Sequence, residues 1–223
     1  MPLEESRVLA NSFQNQRQMP LQDAGHHGCH GVTDLIQNHA KGLVIDLRDD
    51  PGGILQSASA MLGRFVKDKT VVTMRKRYGL QQTESTPDEK TFDYPKPVVI
   101  LINENSASAA EIFSGVLRDY HVATLVGEHS YGKTSVQNVY NIPEDQASIK
   151  VTIAKYFLPS GVSFSREIDE DGNYLKGGLV PDVEVDLPVT QQVVLGDPTK
   201  DPQLKKAMDV VVQKEGGQPQ AKP

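Results

Sequence analysis

The sequence has little that could cross-link it or carry it through a membrane. It contains one cysteine, Cys29, among 223 residues, which excludes an internal disulfide and leaves the redox compartment open. Its longest purely apolar run, Val98–Ile102, is far shorter than the roughly 18 residues that a membrane-spanning helix needs. The start, Met1–Glu5, lacks the basic residues and apolar stretch of a secretory signal. We therefore expect no segment that crosses a bilayer, and an address that is cytoplasmic or specified by sequence outside this chain.

Basic residues are also in the minority. The chain has 23 Lys and Arg against 29 Asp and Glu, a formal charge of -6. An acidic chain is a poor electrostatic partner for nucleic acid, so we expect none. Hydrophobic residues make up 38% and charged residues 23%, a balance typical of folded globular proteins. The length is enough for one sizeable core, which predicts one main domain with loose ends.

Apolar strands alternate with amphipathic helices along the chain, which predicts an α/β domain. Strands are predicted at Leu43–Leu47, Thr70–Met74, Val98–Ile102 and Thr124–Val126, and helices at Val32–Asn38, Leu55–Phe65, Ala109–Leu117 and Pro202–Lys214. Residues 79–97 are polar with three prolines, which predicts an exposed excursion. Short β-like runs, Val136–Tyr140 and Ser148–Ile153, predict a mostly β C-terminal part. Because the strands are continuously apolar, we expect helices to cover a largely buried sheet.

Both ends of the chain have the composition of loops. Gly25–Gly31 has three glycines in seven positions and cannot form a regular helix or strand. Its donors His26, His27, Cys29 and His30 are too crowded for all of them to reach one ion easily, so we expect a solvated loop and no metal. The tail, 216–223, has a composition that favours disorder.

Two polar strand-to-helix turns stand out as candidate sites, since active sites of α/β folds gather where strands end. In the first, 46–53, Gly52 and Gly53 let the backbone approach a ligand, and amides opening a helix can bind an anion. A plain turn before a helix is an equal alternative there. In the second turn, Ser108 is either a helix cap, with Glu111 completing a capping box, or a nucleophile. Lys133 favours the nucleophile, because a desolvated lysine can act as the base that a serine needs.

The segment around Lys133 also satisfies a phosphate-loop pattern. Gly127–Thr134 reads G-x4-G-K-T after a predicted strand, so a nucleotide-hydrolysing enzyme must be considered. The following residues, 135–143, alternate like a strand and end at proline, whereas a phosphate loop opens a helix. The apolar strand ending in Asp46 precedes the loop instead of following it. The sequence therefore disfavours a P-loop NTPase, and we expect no nucleotide and no cofactor.

Four segments in this order resemble the C-terminal processing (tail-specific) serine peptidases of family S41. They are Gly42–Gly53, Ser106–Ile112, Gly132–Gln137 and Gly178–Asp182, and the resemblance covers roughly residues 40–190. It implies a catalytic dyad of Ser108 and Lys133, with Gln137 orienting the lysine. It implies an oxyanion hole from the backbone amides of Ala109 and of the Gly52–Gly53 turn. The implied fold is a crotonase/ClpP-like spiral of strands and helices.

The resemblance further implies a serine endopeptidase that cleaves near the C-termini of unfolded or tail-exposed polypeptides. It points to the bacterial cell envelope or periplasm. Family members usually carry a PDZ domain before the core, for which 40 residues leave no room, and Arg7–Phe13 is predicted to be the first core strand. We expect an atypical N-terminal segment (1–31), a peptidase core (32–195), and a C-terminal helix and tail (196–223). The alternative is a non-catalytic, peptide-binding member of the fold, against which the intact set of Ser108, Lys133 and Gln137 argues.

Overall fold

The computed structural model describes residues 7–10 (backbone only), 40, 42–88, 96–142, 147–187 and 193–216. The predicted helix Val32–Asn38, the histidine-containing loop and tail residues 217–223 lie outside these ranges. In chain order the elements are β1 (Arg7–Ala10), β2 (Leu43–Asp46), α1 (Leu55–Leu62), β3 (Thr70–Lys76), β4 (Gln81–Ser85), β5 (Val98–Ile102), α2 (Ala109–Asp119), β6 (Ala123–Gly127), β7 (Ser135–Ile142), β8 (Ala147–Phe157), β9 (Glu167–Ile168), β10 (Tyr174–Lys176), β11 (Val183–Glu184) and α3 (Pro202–Gly216).

A five-stranded parallel sheet forms the centre of the fold, with strand order β1-β2-β5-β6-β11. Ile45 pairs with Ile100, and Ile100 with Leu125, in register across the sheet. Side chains alternate between the two faces of a strand. One face therefore packs with α1 and α2, whose buried residues include Phe113, and the other with buried residues of α3 such as Val211. The predicted α/β architecture is confirmed, and β1 confirms the predicted first strand over Arg7–Ala10.

A second, antiparallel sheet has the order β4-β3-β8-β7. Strands β7 and β8 pair over most of their length, from Ser135 opposite Lys155 to Ile142 opposite Ala147. Most of this ribbon is solvent-exposed on both faces. Strand β7 directly follows the G-x4-G-K-T segment, so the helix that a phosphate loop requires is absent there.

Two differences from the predicted elements have simple causes. Residues 79–97 were expected to be an exposed excursion, and the described part is largely exposed, but Gln81–Ser85 pairs with β3 as a strand. Polar residues without alternation give no strand signal. In the described part of this sheet, β4 is an edge strand, and backbone pairing with β3 holds it in place. The helix expected to reach Phe65 ends at Leu62, where the chain turns at Gly63.

The N-terminus of α3 is fixed to the central sheet by a buried ion pair. The guanidinium of Arg48 donates to both carboxylate oxygens of Asp201, at 2.9 and 2.7 Å, and also to Asp46. The side chains of Arg48 and Asp201 are 1% and 0% exposed. Among the helices described, none is long and apolar enough to span a membrane.

Candidate active site

The candidate residues come together where β2, β5 and β6 end. These strands are parallel neighbours, so the turns after them meet at one edge of the sheet. The Ala107 N–H donates to the Asp50 carbonyl at 2.8 Å, which joins the first turn to the second. The Tyr131 N–H donates to the Ser106 carbonyl at 2.9 Å, which joins the second turn to the loop after β6. Three segments far apart in sequence therefore form one hydrogen-bonded cluster.

Ser108 stands at the N-terminus of α2 with an unusual backbone. Its φ of 58° and ψ of -116° lie in a region that glycine occupies and other residues avoid. An ordinary N-cap residue has extended φ and ψ. Non-glycine residues held in such conformations cluster at active sites, since the surrounding structure must impose the strain. The side chain is half-buried at the edge of the sheet.

The Gly52–Gly53 turn lies directly against Ser108. A methyl group on Gly52 would fall 2.4 Å from the Ala107 carbonyl oxygen, 2.6 Å from the Ala109 nitrogen and 2.9 Å from Ser108 Cβ. The Gly52 N–H is occupied, because it donates to the Asp50 carboxylate at 2.8 Å. Within the described residues, no hydrogen-bond acceptor is found for the N–H of Gly53 or Ala109. Of the three amides predicted to bind an oxyanion, those of Gly53 and Ala109 therefore have no acceptor among the described residues, whereas that of Gly52 has one.

Glu111 connects Ser108 to the loop that carries Lys133. Its carboxylate is fully buried and accepts four hydrogen bonds. One oxygen, Oε2, accepts from the backbone N–H groups of Ser108 and Lys133, both at 2.8 Å. The other, Oε1, accepts from the Ser130 hydroxyl and the Gly132 N–H, both at 2.6 Å. Burial raises the pKa of Glu111, and these four hydrogen bonds oppose that rise. The bond from the Ser108 N–H is one of the two contacts of the expected capping box. The hydrogen bonds between Glu111 and the Lys133 loop were not indicated by any pattern in the sequence.

Lys133 differs from the sequence-based expectation. A desolvated base was expected, but its side chain is exposed, and its Nζ has no hydrogen bond or ion pair within the described part of the chain. The cause is its place in a loop that ends at the exposed ribbon. Gln137 is exposed on β7 and its Nε2 donates to Thr152 Oγ1 at 3.3 Å, with no hydrogen bond to Lys133. The roles of Ser108, Lys133 and Gln137 stay predictions.

The fourth segment of the resemblance, Gly178–Asp182, is hydrogen-bonded to strand β6 and to the loop that carries Lys133. The Leu179 N–H donates to the Ser130 hydroxyl at 2.6 Å, and Asp182 exchanges two hydrogen bonds with the backbone of Leu125. A cavity of about 430 Å³ opens beside the same loop, lined by Glu104, Glu128, His129, Ser130, Arg166, Tyr174, Glu184 and Asp186. Despite these acids, no three His, Cys, Asp or Glu side chains in the described ranges are arranged to hold a metal ion.

Comparison with known proteins assigns the family. Residues 12–185 match Peptidase family S41. The chain belongs to this family of serine peptidases. It is 33% identical over 182 residues to a carboxyl-terminal-processing protease of Synechocystis sp., covering 82% of this chain and 39% of that protein. It is 34% identical over 188 residues to a CtpA-like serine protease of Staphylococcus aureus, covering 83% of this chain and 34% of that protein. The S41 chain thus spans little more than a third of the length of these relatives.

Solved structures agree on the fold. The photosystem II D1 C-terminal processing protease superimposes with a TM-score of 0.68 at 24% identity, covering 92% of this chain and 46% of that one. A Bacteroides fragilis protein described as an S41 protease gives a TM-score of 0.69 at 17% identity, covering 96% of this chain and 56% of that one. At these identities the likeness shows that the chain has the S41 protease fold.

Proposed function

We propose that this chain is the catalytic core of a serine endopeptidase that cleaves near the C-termini of unfolded or tail-exposed polypeptides. The observation that carries the proposal is the strained Ser108, which opens α2 with Gly52 packed against its Cβ. Family membership adds the reaction class, and the named relatives add the class of substrate.

In the proposed reaction, neutral Lys133 takes the proton of Ser108 as Oγ attacks the peptide carbonyl carbon. The resulting oxyanion accepts hydrogen bonds from the amides of Gly53 and Ala109, each worth about 3 kcal/mol in acyl-transfer enzymes. Lys133 then gives its proton to the departing amine as the C–N bond breaks, which leaves an acyl-enzyme. Water hydrolyses the ester in a second cycle of the same proton transfers and restores Ser108.

A neutral lysine requires removal from water, and Lys133 is exposed in the structure. The substrate itself can supply this cover. In the described part of the second sheet, β7 is an edge strand that begins two residues after Lys133. We propose that an extended substrate pairs with this edge, which gives affinity through main-chain hydrogen bonds with little sequence selectivity. Gln137, on the same strand, would then orient the covered lysine.

The broader architecture is proposed on the same basis. The alternation of strands and helices around the central sheet suits a crotonase/ClpP-like spiral, with the peptidase core over residues 32–195. The alternative, a non-catalytic peptide-binding protein, would keep this architecture and lack acyl-enzyme formation. Reaction of Ser108 with a fluorophosphonate therefore separates the two functions.

Ser108→Ala and Lys133→Ala are each expected to lower cleavage of labelled casein by about 1,000-fold or more, without additive effects, because both residues serve one step. Lys133→Arg should fail equally, since a guanidinium stays protonated. The matched controls are Ser148→Ala and Lys150→Ala on the exposed strand β8, which should keep wild-type activity. Wild-type activity in Ser108→Ala, or no labelling of Ser108 in the wild type, would reject the peptidase assignment.

A further inference from the structure

We propose that Glu111 is a positioning residue of the peptidase, whose carboxylate fixes the backbone of Ser108 relative to the backbone of Lys133. The proposal rests on the function proposed above and adds a residue to which neither the family resemblance nor the comparisons assign a role. Glu111 touches no reacting atom in the proposed reaction, so it acts only through the two residues that it holds.

The geometry makes the link short. A single oxygen, Oε2, accepts the N–H of Ser108 and the N–H of Lys133, each at 2.8 Å. The two backbone nitrogens are therefore no farther apart than the sum of those two bonds. They belong to segments 25 positions apart in the sequence, and the structure gives the turn at Ser108 and the loop at Lys133 this shared acceptor. Moving the carboxylate moves both segments.

The second oxygen prevents that movement. Oε1 accepts the Ser130 hydroxyl and the Gly132 N–H at 2.6 Å, and the Ser130 hydroxyl accepts the Leu179 N–H in turn. With both oxygens occupied and no exposed surface, the carboxylate cannot rotate without losing hydrogen bonds in a buried site. The same bonds hold Ser108 in its strained conformation, because its N–H is directed at Oε2.

The chemistry of the site requires a carboxylate. Four donors face four acceptor positions, and a carboxylate offers only acceptors. A glutamine of nearly the same size offers one oxygen and one NH2 group. In Glu111→Gln the NH2 group faces either the Ser108 and Lys133 amides, so both of their hydrogen bonds are lost, or Ser130 and Gly132. In the second orientation the Ser130 hydroxyl can turn to accept, and the Gly132 N–H, next to Lys133 in the chain, loses its acceptor. The variant should therefore shift the backbone of the hydrogen-bonded residues while the volume of the side chain at position 111 stays nearly the same.

The test uses the full 223-residue chain. We expect Glu111→Gln to lower kcat for labelled casein by about 100-fold with KM within threefold of wild type, as a misplacement near 1 Å does in other enzymes. Fluorophosphonate labelling of Ser108 should slow by a similar factor. Ser130→Ala is the matched control, since it removes a buried hydrogen bond at Oε1 and leaves Oε2 with both its donors. It should lose comparable stability and less than tenfold in kcat.

The outcomes separate the two proposals. If the wild type labels at Ser108 and Glu111→Gln labels equally fast, the positioning role is overturned and the peptidase stands. If Ser130→Ala loses as much kcat as Glu111→Gln, Glu111 is only a source of stability and the role is again overturned. No labelling of the wild type overturns both. If Glu111→Gln does not fold, Glu111→Asp provides the same test, because it keeps the charge but is one methylene shorter. A wild-type kcat in Glu111→Asp would overturn the positioning role.

Discussion

The positive φ of Gly52, +85°, coincides with a close approach to the second turn. Replacing it with alanine adds a methyl group within 3 Å of three atoms, among them the Ala109 nitrogen proposed for the oxyanion hole. We expect Gly52→Ala to push the two turns apart, to destabilise the fold by roughly 2 kcal/mol and to abolish labelling of Ser108. Urea denaturation and fluorophosphonate labelling measure the two effects.

Gly172 provides the matched control for this experiment. It has the same φ of +85°, and a methyl group there would meet no atom within 4 Å. Gly172→Ala therefore carries the backbone strain of the substitution without the clash. We expect a stability loss of about 1 kcal/mol and full labelling. Equal labelling of Gly52→Ala and Gly172→Ala would show that the glycine turn does not shape the site.

At the level of residues, the sequence located the cluster but not its connections. Motifs at Gly52, Ser108 and Lys133 predicted segments that do meet at one edge of the sheet, because parallel strands bring their carboxyl ends together. The prediction that Lys133 is removed from water was wrong. The exposure of a loop residue depends on which other segments cover the loop, and no local sequence pattern encodes that. Glu111 was visible only as a capping residue, because its other three donors lie 19 to 22 positions away.

A buried ion pair between Arg48 and Asp201 helps to attach the start of helix α3 near the turn after β2. Asp201→Asn removes one of the two carboxylates that accept hydrogen bonds from Arg48 and leaves Asp46 paired with the guanidinium, so we expect a loss of about 2 kcal/mol from the weakened charge-assisted hydrogen bonds. Urea denaturation should show this loss. Asp209→Asn, on the exposed side of α3, is the control and should change stability by less than about 0.5 kcal/mol.

The same pair gives a dependence of stability on pH. Burial opposes ionisation of Asp201, but hydrogen bonds from Arg48 and from the backbone of Leu204 and Gly196 outweigh it and lower its pKa below the ordinary 3.8. The stabilisation is therefore present above pH 3.8 and is lost as the pH falls through the folded-state value. The difference in unfolding free energy between wild type and Asp201→Asn should be constant from pH 5 to 7 and shrink at pH 3 and below. A gap that is unchanged at low pH would rule out the ionised pair as its source.

Elements with a strong apolar pattern were predicted well. The buried strands β2, β5 and β6 and the helix α2 have continuous or helically spaced apolar residues, and their observed bounds differ from the predicted ones by at most two residues. The ribbon β7–β8 was recognised only as two short runs, because its exposed residues alternate weakly. The docking of α3 through Arg48 and Asp201 joins residues 153 positions apart, which no periodicity reports.

Across the whole molecule, burial is uneven. Strand β5 is buried along its entire length, whereas β7 and β8 are mostly exposed on both faces. Amides in β5 should therefore exchange only through global unfolding, and those of the ribbon through local opening. Native-state hydrogen exchange is expected to protect Val99–Leu101 at least about 100-fold more than Val139–Asn141. Equal protection would mean that another surface covers the ribbon.

The backbone of Ser108 also makes the active protein less stable than an inactive one can be. A φ of 58° with ψ of -116° is natural for glycine, so Ser108→Gly should release strain, whereas Ser108→Ala keeps it. Glycine also has greater freedom in the unfolded chain, which offsets part of this gain. We therefore expect the free energy of unfolding of Ser108→Gly to be higher than that of Ser108→Ala by about 1 kcal/mol, or roughly 2–4 °C in Tm. Calorimetry of the two variants measures the difference. Selection for stability alone would thus favour glycine at position 108, and only the requirement for a hydroxyl group would keep serine there.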